Sequence, residues 1–286
     1  MEDENKALVI GSGIAGLATA ARLQAQGWQV TVFEANQHAG GKVSVVGGKG
    51  YRFDAGPSLF TLPHLLEEVV RDCGKEPRDY FEYYRKEVAC QYFWDDGTEL
   101  TAYGEPERFA REAEEKLGVP AQRVRAHLQT ARRIYQRTSP VFLEKSLHRW
   151  QSYLNRETLQ ALGQMHRLHL QDSLHRVNER ALQHPKLVQL FDRFATYNGS
   201  SPYLTPGVMS SIPHLEHNVG TYYPRGGMHS ITRTLYQLAV DLGVKFHFGT
   251  PVESIVIRHQ RAVGVRVAGV EIPAARVISN MDIVHT

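Results

Sequence analysis

The chain has 286 residues, of which 42% are hydrophobic and 22% charged, and its formal net charge is +3. This length suits one sizeable core or two domains, and the composition excludes a disordered chain. So small a net charge gives no basis for nucleic-acid binding, and no apolar run approaches the ~20 residues of a membrane span.

The first residues, Met1-Glu2-Asp3-Glu4, are acidic and lack the basic and apolar regions of a signal peptide, which predicts a cytoplasmic protein. Only Cys73 and Cys90 occur, with no metal-ligand spacing, so a reducing compartment is expected. Ala7-Leu8-Val9-Ile10 reads as a buried parallel strand. Gly11, Gly13 and Gly16 then form G-x-G-x-x-G on entry to a helix that carries Leu17, Ala20, Ala21 and Leu23 and stops at Gly27. A second strand, Val30-Thr31-Val32-Phe33, ends on Glu34.

Each glycine has a physical reason. Gly11 allows a tight turn, Gly13 lets a pyrophosphate approach without meeting a Cβ, and Gly16 lets the helix lie close on the sheet. The helix N-terminus offers N–H groups and partial positive charge to phosphates. Glu34 is placed to accept hydrogen bonds from ribose hydroxyls. A glycine-rich structural turn is the plainer alternative, but the strand before, the helix after and the following acid all favour a dinucleotide site.

Gly40-Gly41 closes the next loop and permits backbone with φ > 0 near a ligand. Gly47-Gly48-Lys49-Gly50 predicts a hairpin turn, followed by a strand at Tyr51-Arg52-Phe53 and a turn at Asp54-Ala55-Gly56-Pro57-Ser58. Thr61 is expected to cap a helix that has Pro63 in its first turn and Leu65, Leu66, Val69 and Val70 on its apolar face.

These pieces together resemble the flavin-dependent amine oxidase and phytoene desaturase superfamily. The matching residues are Gly11-Ser12-Gly13-Ile14-Ala15-Gly16, the acid Glu34 with Ala35, the pair Gly40-Gly41, and the run from Gly50 to Ser58. The resemblance implies FAD as cofactor, with Gly40-Gly41 and the turn Gly56-Pro57-Ser58 approaching it. Lys42 stands where many relatives carry Arg, so the charge is kept without the bidentate fork. The implied fold is α/β: a Rossmann-like FAD-binding domain (ββα, three layers) interrupted by a mainly helical substrate and membrane-contact region. Domain boundaries are expected at 1–78, 79–219 and 220–286.

Tyr80 to Tyr103 alternates as a small sheet turning at Asp95-Asp96-Gly97, with Val88, Cys90, Tyr92 and Trp94 on one parity. From Glu105 to about His184 the pattern is helical. Val124, Leu128, Ala131 and Ile134 mark one helix, Leu143, Leu147, Trp150 and Leu154 another, and Pro140 is expected to separate them. Between Arg123 and Arg149 stand seven basic residues (Arg123, Arg125, Arg132, Arg133, Arg137, Lys145, Arg149) and one acid, Glu144. Such a segment can sit on anionic lipid, although from sequence alone a solvated helix face is the favoured reading. His166 and His169 are spaced to share a helical face, but no carboxylate completes a metal set, and no metal is expected.

The run from Phe191 through Met228 resembles carotenoid desaturases in particular, and within them the branch acting on hydroxylated carotenoids. Its aromatics and glycine turns are expected to wall an apolar cavity. A helix from His229 to Gly243 buries Ile231, Leu235, Leu238 and Leu242; strands follow at Val244–Phe248, Thr250–Ile257 and Arg276–Asn280, with hairpins at His259-Gln260-Arg261 and Ala268-Gly269. The resemblance implies that Val252 meets the adenine end of FAD through its backbone. Relatives continue past residue 286 with a glycine-rich segment near the isoalloxazine, so the C-terminal part of the family fold is expected to be absent here.

The implied function is desaturation of a lipid-dissolved acyclic carotenoid, phytoene-like or hydroxylated, by a peripherally membrane-associated enzyme with a quinone or oxygen as electron acceptor. No side chain is singled out as catalytic; His214, Glu216, Arg225 and His229 are polar candidates that read more readily as structural. The same fold implies other possibilities: a carotenoid isomerase, an amine oxidase, or a non-catalytic binder of lipidated partners like the Rab GDP-dissociation inhibitors.

Overall fold

The computed structural model describes residues 4–142 and 168–286. Its principal elements in chain order begin with β1 (Lys6–Ile10), α1 (Ile14–Ala25), β2 (Gln29–Phe33), β3 (Ser44–Gly48), β4 (Tyr51–Ala55) and α2 (Pro63–Asp72). Next come β5 (Tyr83–Lys86), β6 (Val88–Phe93), β7 (Glu99–Tyr103), α3 (Pro106–Leu117), α4 (Ala121–Phe142), α5 (Leu174–Leu182) and α6 (Pro185–Asp192). The chain closes with β8 (Thr221–Pro224), α7 (His229–Asp241), β9 (Lys245–His247), β10 (Ser254–Arg258), β11 (Arg261–Val267), β12 (Val270–Pro273) and β13 (Arg276–Ser279). Two compact units result: Met1–Tyr84 with Tyr222–Thr286, and Arg85–Thr221.

The first unit is built on a parallel sheet of order β13-β1-β2-β9. Alternation along β1 and β2 decides what each face covers, because successive side chains point to opposite sides. Ala7, Val9, Val30 and Val32 face a layer containing Leu17, Ala20 and Ala21 of α1 and Leu235 and Leu238 of α7. Leu8, Ile10 and Phe33 face the other way, onto Val265 and Ala274, with Ile255 and Ile272 at the margin. Those residues belong to the antiparallel sheet β10-β11-β12 and its exit toward β13. Helices, parallel sheet and antiparallel sheet are therefore three layers, the expected ββα arrangement. Burial on both sides explains why the strands are nearly continuous apolar runs.

Local chemistry sets the hairpins. The β3–β4 turn holds Lys49 and Gly50 at φ 51° and 82°, and the β10–β11 and β11–β12 turns hold His259-Gln260 and Ala268-Gly269 at positive φ as well. Two-residue turns of this kind match the right-handed twist of the strands.

Several local expectations are corrected. Thr61 does not cap α2: Pro63 occupies its first turn, Leu62 takes the cap position in a left-handed conformation (φ 55°), and no side chain caps the helix. Pro63 disfavours helical backbone at the residue before it, so the chain enters through Leu62 and Thr61 falls one place too early. The strand expected from Thr250 starts only at Ser254, because Thr250 spends its N–H on the Glu34 carbonyl (2.8 Å). His169 sits at φ 52° in a turn, not on a helix. Pro140 lies inside α4, which continues to Phe142. The second helix expected at Leu143–Leu154, together with Lys145, Arg149 and His166, lies outside the described residues.

The second unit packs α3, α4, α6 and the β6–β7 hairpin around Phe109, Leu128, Leu187, Phe191 and Phe194, all at most 1% exposed. Phe191 and Phe194 are thus core, not the cavity wall expected of them. Beside them is a half-buried ion pair: Arg193 donates to Glu216 Oε2 at 2.7 Å and Tyr197 OH to Glu216 Oε1 at 2.7 Å, while Arg193 Nε bonds the Tyr92 hydroxyl at 2.9 Å. Glu216 lies on a π-helical turn, Leu215–Val219, and is 1% exposed. Among the described residues no helix is long and apolar enough to cross a membrane, and no group of three or more metal-ligating side chains is found.

Candidate nucleotide-binding site

The β1–α1 turn is where an anion would be received. Gly11 takes φ +90°, which an L side chain rarely adopts. α1 starts at Ile14 with no side-chain cap and no acidic residue in its first turn, so its N-terminal N–H groups and partial positive charge are uncompensated by the protein. A Cβ on Gly16 would lie 2.2 Å from the Gly11 carbonyl, so the helix can approach the turn only if this residue has no side chain. Gly13 differs. Its φ is −68°, and an added Cβ would meet only the Asn280 amide, at 2.7 Å.

Three separate stretches converge on this turn. Gly40 donates to the Ser12 carbonyl at 3.0 Å and forms a parallel bridge with Gly13, while a Cβ on Gly41 would stand 3.4 Å from Gly13 Cα. Gly56 approaches Lys42 so closely that a Cβ would lie 2.0 Å from its carbonyl oxygen. Asn280 donates its N–H to the Ile10 carbonyl at 2.9 Å and sets its side chain beside Gly13 and Gly16. Ile14 packs partly into the core, while Ala15, Ala35, Gly41, Lys42, Gly56, Pro57 and Ser58 are exposed. Val252 packs at the edge of the sheet-on-sheet core; Gly249 and Thr250, just before it, bond the Asn36 and Glu34 carbonyls at 2.9 and 2.8 Å.

Glu34 is 6% exposed and accepts four hydrogen bonds. Ser12 N–H and Oγ–H bond one oxygen at 2.7 and 2.8 Å; Asn36 N–H and Nδ2–H bond the other at 2.9 and 2.8 Å. Burial works to raise its pKa, but these donors outweigh burial and hold it below the ordinary glutamate value. A carboxylate has about four acceptor positions, so all are occupied within the chain. Glu34 therefore braces the glycine turn, and a ribose hydroxyl would reach it by exchanging with Ser12 Oγ or the Asn36 amide.

The start of α7 fixes the loops around the glycines. Thr232 Oγ and His229 Nδ1 both donate to the Val43 carbonyl, at 2.9 and 3.0 Å, just beyond the Gly40-Gly41 pair. Asp54, on β4, accepts from Met228 N–H at 2.9 Å and Tyr223 OH at 3.2 Å, with Arg52 at 3.4 Å. Burial works against its charge, yet the Met228 and Tyr223 bonds keep its pKa below the usual aspartate value.

Asp54, Thr232 and Asn280 were not singled out from sequence. A carboxylate ending a strand and a hydroxyl on the buried side of a helix were the only available signals. Three of the four polar candidates are engaged by hydrogen bonds or ion pairs, and the fourth, His214, by packing, its Nδ1 having no hydrogen-bond partner among the described residues. His229 holds Val43, Arg225 pairs with Glu82 at 2.6 Å, Glu216 pairs with Arg193, and His214 is buried beside the Tyr135 ring.

A glycine-lined turn, an uncapped helix N-terminus and a strand-end carboxylate define a dinucleotide-binding α/β protein, and the residues present fit FAD. The family model described as flavin containing amine oxidoreductase matches residues 14–284, and the chain belongs to that family. It is 46% identical over 281 residues to the 1-hydroxycarotenoid 3,4-desaturase of a Flavobacterium species, covering 98% of this chain and 57% of that protein. It is 30% identical to the 4,4'-diapolycopene oxygenase of a Methylomonas species, covering 99% of this chain and 56% of that protein. The chain thus spans little more than half the length of these relatives. Among solved structures, an oxidoreductase from Methanosarcina mazei matches with a TM-score of 0.60 at 19% identity, over 96% of this chain and 58% of that one. At that identity the likeness speaks for the fold alone.

Proposed function

We propose that this chain carries the flavin-binding part of a carotenoid desaturase acting on an acyclic, hydroxylated carotenoid. The observation that carries this reading is the 46% identity, along 98% of the chain, to a 1-hydroxycarotenoid 3,4-desaturase. The 30% identity to 4,4'-diapolycopene oxygenase supports a second reading, an oxygenase on a related substrate.

When bound, FAD supplies a two-electron acceptor for hydride leaving a saturated carbon pair. The chain's own residues do the rest. In this reading Gly13, Ile14, Ala15 and Gly16 present backbone N–H groups to the pyrophosphate, Gly11 and Ser12 shape the turn with their N–H groups on the Phe33 carbonyl and Glu34, and Glu34 with Ala35 receives the ribose. Gly40, Gly41 and Lys42, with Gly56, Pro57 and Ser58, line the remaining length of the nucleotide, and Val252 borders the adenine. Asp54, His229 and Thr232 hold these loops in place before the cofactor arrives, which lowers the ordering cost of binding. The substrate is dissolved in lipid, so peripheral contact with an anionic membrane surface belongs to the same reading. The exposed Arg132 and Arg133 of α4 support it. A quinone or oxygen would serve as the electron acceptor in this reading.

The test is the visible spectrum of the purified chain, alone and after added FAD. Bound-flavin absorption is expected. A folded, colourless protein that takes up no FAD overturns the cofactor assignment. Product mass from lipid-dispersed hydroxylated carotenoid, supplied to the longer relative's equivalent enzyme and to this chain, separates the two activities. Loss of two hydrogens marks a desaturase, and gain of oxygen marks an oxygenase.

A further inference from the structure

The face of α4 that carries Arg123, His127 and Thr130 runs against the face of α5 that carries Val177 and Arg180. The spacings i, i+4, i+7 and i, i+3 each place these residues on one side of a helix. Between them lies a groove of about 340 Å³, bordered also by His169. This volume is at the small end of ligand pockets. Its described lining holds two guanidinium groups and two imidazoles and no carboxylate. Asp172 pairs with Arg180 at 2.8 Å without lining the groove, so Arg123 stays uncompensated by any ion pair found among the described residues.

Three details give this groove the character of a built site. His127 is 4% exposed and lines the groove with a ring whose polar neighbour inside the unit is the Asn178 amide. Arg123 uses one N–H on the Leu182 carbonyl at 3.3 Å, and a guanidinium has five. It also sits in the first turn of α4, where the helix end favours negative charge. His169, finally, is held at φ 52° by the close approach of Gly207, where a Cβ would lie 2.7 Å from the His169 carbonyl oxygen.

We propose that this groove binds a small phosphate-class oxyanion, received by Arg123 and Arg180 over the buried His127 ring. A metal cation is disfavoured because no carboxylate lines the site, and an apolar ligand because two guanidiniums would be desolvated against it. The volume exceeds what a single halide fills, and forked guanidiniums match the geometry of phosphate oxygens. The site belongs to the second unit and is independent of the flavin reading.

Calorimetric titration of the full chain with inorganic pyrophosphate tests it. Saturable binding is expected, weakened about tenfold or more in Arg123→Gln and in Arg180→Gln. Arg125→Gln is expected to bind as the parent does, because Arg125, on the same helix as Arg123, is engaged with Glu107 of α3 at 2.6 Å. Circular dichroism verifies that each variant is folded, and two independent arginine variants guard against the loss of one. No saturable binding, binding unchanged in the Arg123 and Arg180 variants (as from the glycine turn), or equal weakening in all three variants overturns the proposal. Vesicles of phosphatidylcholine with and without phosphatidic acid identify the source. Competition only by the phosphatidic acid vesicles assigns the groove to a lipid headgroup, and absence of competition assigns it to soluble phosphate.

Discussion

At the scale of single residues, Gly13 and Gly16 share a motif but meet different constraints. A side chain at Gly16 would strike the Gly11 carbonyl, which cannot rotate away, whereas one at Gly13 would meet only a flexible amide and then fill the space offered to phosphate. Gly16→Ala is therefore expected to destabilise the protein by about 1–3 kcal/mol. Gly13→Val is expected to leave stability nearly unchanged and abolish flavin retention. Chemical denaturation and absorbance read the two effects separately; retained flavin in folded Gly13→Val protein refutes the phosphate placement. Both glycines were legible in the sequence because strand, turn and helix are contiguous there. Asn280, which lies against both, was not, since nothing near residue 280 indicates that its strand returns beside β1.

At the scale of elements, the first unit relies on one strand to finish another element's end. α7 has no side-chain cap of its own, and Asp54 from β4 supplies the acceptor that its first N–H groups lack. Removing that acceptor is expected to cost about 1–2 kcal/mol in Asp54→Ala. Asp54→Asn, which keeps one oxygen, should lie between it and the parent. Urea unfolding of the three proteins orders them, and equal midpoints refute the capping role. Helix and strand positions were readable from periodicity, and the hairpins from glycine and turn residues. This contact was not, because it joins residues 174 positions apart. The entry to α2 failed for a local reason: Thr61 looked like a cap, but Pro63 at the first turn moved the cap position to Leu62.

At the scale of the whole molecule, buried histidines set how stability answers to acid. Burial, with the neighbouring His169 and His217, pushes the His127 pKa down to about 4, and burial lowers that of His217, which stacks on Phe109 at 4.7 Å. The unfolded chain binds these protons near pH 6.5, so it holds more protons than the folded one below that value. Stability is therefore complete above about pH 6.5 and falls as pH drops toward about 4. The His127 contribution amounts to at most about 3 kcal/mol. Carboxylates such as Glu34 and Asp54, whose pKa values are lowered, act only below about pH 4.5, so the slope between pH 6.5 and 4.5 belongs to the histidines. Thermal unfolding across this interval is expected to show a falling midpoint, and a flat profile refutes it. The sequence showed these histidines but not their burial. Neither residue type nor spacing marks them as buried, and only the packing of both rings against Phe191 does so.

The parallel sheet has a consequence for how the protein is made. β1 leaves the ribosome well before β13, one of its two neighbours, whose Arg276 pairs with Ala7. Every element from α1 to β12 must be synthesised before that edge of β1 can be paired, and Arg85–Thr221 emerges whole in the meantime. During that delay a run of four apolar residues with an open strand edge is exposed to other nascent chains, so early folding of this protein is a problem of protection before it is one of packing.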